Sequence, residues 1–191
     1  MDNNLFNNNT KDNIKSLAFE FIGIVTIAIV LVLIIQSVAE KAVVVGSSME
    51  PNLSNEQRIL VNKVAYVFSD PKRGDIIIFD PPVASENDYI KRIIGLPGEV
   101  VEIKDGTVYI HQKDDIVIAL DESGYIVDDP DYEYTSGIVP DNCYFVLGDN
   151  RNNSGDSHYG WFVSRSDIDG KAWFSYWPIS DFGFVLNYSF N

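Results

Sequence analysis

Cysteine is almost missing from this chain: of 191 residues, only Cys143 carries a thiol. No intramolecular disulfide can form, whichever redox compartment holds the protein. Histidine is nearly as scarce, with His111 and His158 the two present. Without a Cys/His cluster no zinc site is expected, nor any other metal or cofactor. Positive charge is also short: 14 Lys plus Arg face 28 Asp plus Glu, a formal net charge of -14, which argues against nucleic acid as a partner. Long apolar runs are absent with one exception. Residues 21–39 carry no charge, and an apolar helix of roughly 20 residues is what the ~30 Å hydrocarbon core of a bilayer requires.

That exception reads as a single transmembrane helix over residues 17–39, with the lipid bilayer as a partner. A cleavable secretory signal has a shorter apolar part and a small-residue cut site, for which Ser37-Val38-Ala39 is only a weak candidate. Lys11 and Lys15 precede the run and Lys41 follows it, a bias that puts the N-terminus inside. The tail, residues 1–16, is then cytoplasmic. Its Asn-rich tract, residues 2–9, has too little apolar surface to fold alone and reads as a short disordered arm.

Beyond Glu40 the apolar residues come in short runs rich in Val, Ile, Tyr and Phe, punctuated by Gly, Pro and Asp. That pattern predicts an all-β domain over residues 40–178. Strands are expected at 42–45, 58–67, 75–79, 89–94, 100–103, 107–111, 143–147 and 171–177. Asp105-Gly106 marks a hairpin turn, because both residues tolerate the positive φ such turns need. The tail over 179–191 can add an edge strand. Between 112 and 141 the character changes, with Asp114, Asp115, Asp121, Glu122, Asp128, Asp129, Asp131 and Glu133 in one segment. Asp129, Asp131 and Glu133 have the alternate spacing of a calcium loop, but Tyr134 stands where the turn glycine belongs and Pro140 where the closing glutamate belongs. The segment reads as a solvated acidic insertion outside the core.

Ser48, in Ser48-Met49-Glu50-Pro51, follows the apolar run closely. At ~3.3 Å per extended residue it stands within roughly 30 Å of the end of that run. A serine hydroxyl is a poor nucleophile until a base takes its proton, and two bases compete for that role. Lys91 sits in the largely apolar strand Tyr89-Ile90-Lys91-Arg92-Ile93-Ile94, where burial would lower its pKa and leave a neutral amine. By periodicity alone it is a surface lysine on a strand edge. Arg92, next along, points to the opposite face and can stay solvated. The other candidate is His158, two residues after Asp156, which with Ser48 supplies the residue types of a Ser-His-Asp triad.

Four segments then match in order. Gly46-Ser47-Ser48-Met49-Glu50-Pro51-Asn52-Leu53, Arg73-Gly74-Asp75-Ile76-Ile77-Ile78-Phe79, Tyr89-Ile90-Lys91-Arg92-Ile93-Ile94-Gly95-Leu96-Pro97-Gly98 and Gly148-Asp149-Asn150-Arg151-Asn152-Asn153-Ser154-Gly155-Asp156-Ser157 resemble the boxes of bacterial type I signal peptidases. The resemblance implies two antiparallel sheets around a Ser-Lys dyad, Ser48 as nucleophile and Lys91 as general base. It implies that Ser154 hydrogen-bonds the lysine amine, that Asp156 holds the same region together, and that Asp149 and Arg151 are structural residues of that loop. Asn52 stands where the family often has threonine, and His158 where many members carry arginine. With Gly46 two residues before the nucleophile, the Ser48 amide is the firmest oxyanion donor.

The implied substrates are the signal peptides of exported preproteins, cut after small residues and bound by addition to a sheet edge. By the same resemblance Met49, Leu53, Tyr89 and Ile90 wall one small pocket, and Val44, Ile59 and Ile78 the other. Ordinary core packing is an equal reading for Ile59 and Ile78. The enzyme would sit in the bacterial cell membrane with its catalytic domain outside. Competing readings are a non-enzymatic membrane-tethered β domain, a Ser-His-Asp or Ser-Lys peptidase with another substrate, and a Ser-Lys self-cleaving repressor. The apolar run and the acidic charge oppose the repressor.

Overall fold

The computed structural model describes residues 3–190, and the side chains of these apart from 3–16, 18, 34 and 37. The chain divides after Val38. The first unit is helix α1, Asn3–Val38. The Asn-rich tract expected as a disordered arm is therefore helical from Asn3 on, while Asp2 lies outside the described residues. Extending an existing helix fixes one residue per hydrogen bond gained, so a tract that cannot nucleate a helix can still prolong one. The apolar run ends one residue early, because Ala39 opens the first strand. Side chains over 19–33 are exposed throughout. Among the described residues no helix is long and apolar enough to cross a membrane, so the tail over 1–16 and the span over 17–39 remain expectations.

The second unit is all-β. Its strands are β1 (Ala39–Val43), β2 (Arg58–Asn62), β3 (Ile76–Phe79), β4 (Tyr89–Gly95), β5 (Val100–Lys104), β6 (Thr107–His111), β7 (Val117–Ala119), β8 (Tyr134–Thr135), β9 (Cys143–Leu147), β10 (Val163–Ser164), β11 (Ile168–Trp177) and β12 (Gly183–Phe184). They form two antiparallel sheets. The larger runs β1-β2-β11-β3-β4-β9-β10, with β12 added to β11, and the smaller runs β7-β6-β5-β8. The pattern of short Val/Ile-rich runs thus places the strands well, and the C-terminal tail does add an edge strand. The run expected over 58–67 stops at Asn62, whose side chain accepts from the Val64 N–H at 3.0 Å and turns the chain.

Local chemistry explains the parts that position the site. Asp105 (φ 48) and Gly106 (φ 75) both take the positive φ of a tight hairpin, setting Lys104 opposite Thr107. All four residues of β3 are buried, as a short uninterrupted apolar run between other strands requires. Its neighbour β4 pairs Ile77 with Lys91 and Ile78 with Ile90, so the base candidate lies mid-sheet and not on an edge. Beneath the turn after β1, Val44, Met49, Leu53, Ile59, Val61 and Ile76 share one buried apolar cluster.

The acidic insertion departs from its expectation. Residues 112–141 supply β7 and β8, which complete both edges of the smaller sheet. The segment also buries Leu120, Glu122, Tyr125, Ser136 and Val139. Its strands, at three and two residues, are too short to show alternation, and its carboxylates mask a few inward positions.

Candidate active site

Ser48 opens a single helix-like turn after β1. The Leu53 N–H donates to Met49 O at 2.9 Å and the Glu50 N–H to Ser47 O at 3.2 Å. Gly46 enters this turn at φ +88, a conformation that favours glycine, and its N–H donates to Asn55 Oδ1 at 2.8 Å. The turn is fastened to the loop after β9. Asn150 N–H donates to Ser48 O at 3.0 Å, Asn150 Nδ2 to Ser47 O at 3.1 Å and Asn153 Nδ2 to Ser47 Oγ at 3.0 Å. Gly148 permits that approach, since a Cβ there would lie 2.5 Å from Ser48 O and 2.3 Å from Ser154 Oγ.

Lys91 reaches this turn from β4. Its Nζ donates to Ser48 Oγ at 2.8 Å and to Ile90 O at 2.9 Å, and lies 5.2 Å from the centre of the Tyr89 ring. The residue is 5 % exposed. Burial lowers its pKa to about 8, against the opposing pull of Asp156 and Asp149. A neutral amine one hydrogen bond from a hydroxyl can take its proton directly. The Ser48 N–H has no acceptor among the described residues.

The alternative base is placed elsewhere. His158 Nδ1 lies 2.7 Å from Asp156 Oδ1, and its ring stacks on Tyr132 at 4.5 Å between centroids. No hydrogen bond joins it to Ser48 among the described residues. The other oxygen of the fully buried Asp156 accepts from the Gly148 N–H at 2.9 Å. Asp156 therefore holds the glycine against which the serine turn packs. Ser154 differs from its expectation: its Oγ is buried with no hydrogen-bond partner, and Lys91 uses Ile90 O in its stead.

Arg92 corrects the reading of β4 as a strand with one solvated face. It is fully buried, donating through Nε to Asp149 Oδ1 at 2.8 Å and through Nη2 to Oδ2 at 2.7 Å, with Nη1 on Gly74 O at 2.8 Å. The C-terminal tail and the insertion cover that face. Leu186 O accepts from Arg92, and the Tyr125 ring lies 4.3 Å from the guanidinium. Arg151 is held likewise by Glu122, through Nη2 to Oε1 at 2.8 Å and through Nη1 to Oε2. Glu122 and Tyr125 escaped the sequence reading because the surrounding carboxylates marked their segment as solvated.

A cleft of about 960 Å³ runs from β1 past Ser48 and Lys91, and Val44, Met49, Ile78, Tyr89 and Ile90 line it. Leu53 and Ile59, expected as pocket walls, do not. They are absent from its lining and pack in the buried cluster beneath it, at 1 % and 0 % exposure.

The chain matches the family described as "Signal peptidase, peptidase S26" over residues 18–177. The chain belongs to this family. It is 44% identical over 155 residues to "Probable signal peptidase I-2" of Synechocystis sp., covering 78% of this chain and 68% of that protein. It is 40% identical over 172 residues to "Signal peptidase I" of Leptolyngbya laminosa, covering 86% and 82%. A third relative, "Signal peptidase I" of Bacillus licheniformis, is 35% identical over 175 residues, covering 88% and 94%. As an S26 member the chain is a serine peptidase, a hydrolase.

Proposed function

We infer that this protein is a membrane-anchored endopeptidase that removes signal peptides from exported preproteins, with Ser48 as nucleophile and Lys91 as general base. The observation that carries the reading is the 2.8 Å contact between Lys91 Nζ and Ser48 Oγ, made by a lysine whose pKa burial lowers to about 8. The neutral amine takes the hydroxyl proton as Oγ attacks the scissile carbonyl carbon. The Ser48 N–H stabilises the oxyanion, and the ammonium returns its proton to the departing amine of the mature protein. A water deprotonated by the same amine then releases the signal peptide from Ser48.

Substrate placement follows from the edge. Among the described residues β1 pairs only with β2, which leaves its outer edge, along the cleft, open to an extended peptide as an added strand. Val44, Met49, Ile78, Tyr89 and Ile90 contribute apolar surface to walls that are otherwise polar, which suits apolar side chains such as alanine. Asp156, Asp149 and Arg151 hold the loop against which the dyad packs. The uncharged run over 21–39 and the basic residues before it support a single span, N-terminus cytoplasmic and catalytic domain outside the bacterial cell membrane.

Cleavage of a preprotein by the full chain in detergent tests the reading. Ser48→Ala and Lys91→Met should each abolish processing, and full activity in either overturns the dyad. Protease added to intact protoplasts should digest the β domain and spare the N-terminal arm, whereas a domain protected until lysis reverses the topology.

A further inference from the structure

Asn52 sits four residues after the nucleophile, at the end of the Ser48 turn, and both hydrogens of its amide are used. Nδ2 donates to Asp149 Oδ2 at 2.9 Å and to the backbone oxygen of Tyr125 at 2.6 Å. Each acceptor belongs to the frame behind the base. Asp149 is the carboxylate that grips Arg92 through two hydrogen bonds, and Arg92 follows Lys91 in β4. Tyr125 belongs to the acidic insertion, and its ring covers the Arg92 guanidinium. Its position is set from the other side, because its hydroxyl meets both Glu122 and Arg151. The ring also packs on Tyr188 and Phe190 of the C-terminal tail, with centroids 4.9 and 6.0 Å away.

We propose that Asn52 is a positioning residue for the Ser-Lys reaction, coupling the Ser48 turn to the Arg92–Asp149 pair on the base strand, with the insertion as the brace that holds it. This rests on the dyad reading above. The three contacts between Ser47 or Ser48 and Asn150 or Asn153 tie the nucleophile to the loop after β9. None of them touches β4. Besides the dyad hydrogen bond itself, Asn52 supplies through Asp149 a second link from the nucleophile turn to the strand that carries Lys91. An asparagine amide offers two donors and no negative charge, the combination needed where one acceptor is a carboxylate already bound to Arg92 and the other a peptide oxygen. The acidic insertion thereby acquires a role in the reaction without reaching the cleft.

Small displacements of a base from its nucleophile cost rate far more than binding, up to about 100-fold for 1 Å. Loss of the link should therefore appear in kcat. The full chain in detergent, assayed on a preprotein ending its signal in Ala-x-Ala, would be compared with Asn52→Ala and Asn52→Asp, alongside Ser48→Ala and Lys91→Met. Asn52→Ala should lower kcat roughly 10- to 100-fold with KM within about twofold, and leave the acid limb of kcat/KM in place. Asn52→Asp keeps the shape, loses both donors and puts a second carboxylate against Asp149. Its kcat should fall further, and its acid limb should move to higher pH, because the added negative charge favours the Lys91 ammonium.

An unchanged kcat in both variants, or a loss confined to KM, overturns the proposal. Should the alanine variant fail to fold, the aspartate variant and its pH profile decide alone: a shifted limb with lowered kcat supports the coupling, and an unshifted limb overturns it. Activity surviving in Ser48→Ala or Lys91→Met would instead overturn the dyad, a result separable from normal turnover in the Asn52 variants.

Discussion

Two cations stand side by side on β4 and meet opposite fates. Lys91 is buried against a hydroxyl, a peptide oxygen and an aromatic ring, with no carboxylate in contact among the described residues, and its pKa falls to about 8. Arg92, on the other face, is buried more deeply but meets a carboxylate in a two-point grip. Desolvation penalises both. A paired carboxylate compensates the guanidinium, while the lone amine, its pKa lowered to about 8 by burial, gives up its proton far more readily than a free lysine. Burial without a counter-ion makes a base, and burial with one makes a frame. The two jobs need adjacent residues of different chemistry, and Lys and Arg are not interchangeable here.

The largest effect belongs to removal of the unpaired cation. Lys91→Met should lower preprotein cleavage by several orders of magnitude, as expected for an essential base, read by the rate of mature-product formation. Breaking the paired one should show first in stability: Asp149→Ala leaves a buried, uncompensated Arg92 and should cost about 3–5 kcal/mol in denaturant unfolding, with activity falling further than the folded fraction because Asp149 also accepts from Asn52. Equal stability in that variant would mean the Arg92 face is wetter than its burial indicates.

Lys91→Met should also be more stable than the parent, despite its inactivity. The lysine's folded pKa, about 8, lies below its ordinary 10.5, so the unfolded chain holds more protons between those values and stability rises with pH across that window. Below about pH 8 the burial cost is present in full. The methionine variant should gain about 1–3 kcal/mol at pH 7, and the gain should shrink as pH rises toward 10.5. A gain over the parent no larger at pH 7 than at pH 10 would show that the amine is solvated.

The acid limb of kcat/KM should lie near pH 8, the value burial sets for Lys91, because activity needs the neutral amine. A limb close to the ~10.4 of a free lysine would sink the assignment. The smallest effect belongs to His158→Ala. Its ring touches Asp156 and Tyr132, not the dyad, so a loss on the order of 10-fold is expected, with the acid limb unmoved.

How much of this was legible beforehand divides along physical lines. Short Val- and Ile-rich runs between Gly, Pro and Asp turns determined the all-β class and most strands, since period-two burial and turn chemistry are local properties. Ser48, Lys91, Ser154 and Asp156 were picked out by four ordered motifs, and composition alone disposed of a disulfide. Tertiary structure decided what covers each face. Alternation places Lys91 and Arg92 on opposite sides of β4 but cannot say that the tail and the insertion close over the second side. Charge counting marks residues 112–141 as solvated, yet Glu122 is drawn inside by Arg151, and a buried ion pair depends on a partner 29 positions away. Leu53 and Ile59 have the same apolar character as Met49 and Ile78, and only packing sorts core from cleft wall. The distance from Lys91 Nζ to Ser48 Oγ belongs to the same class, because the two lie 43 positions apart in the chain and the sheet, not the sequence interval, sets where they meet.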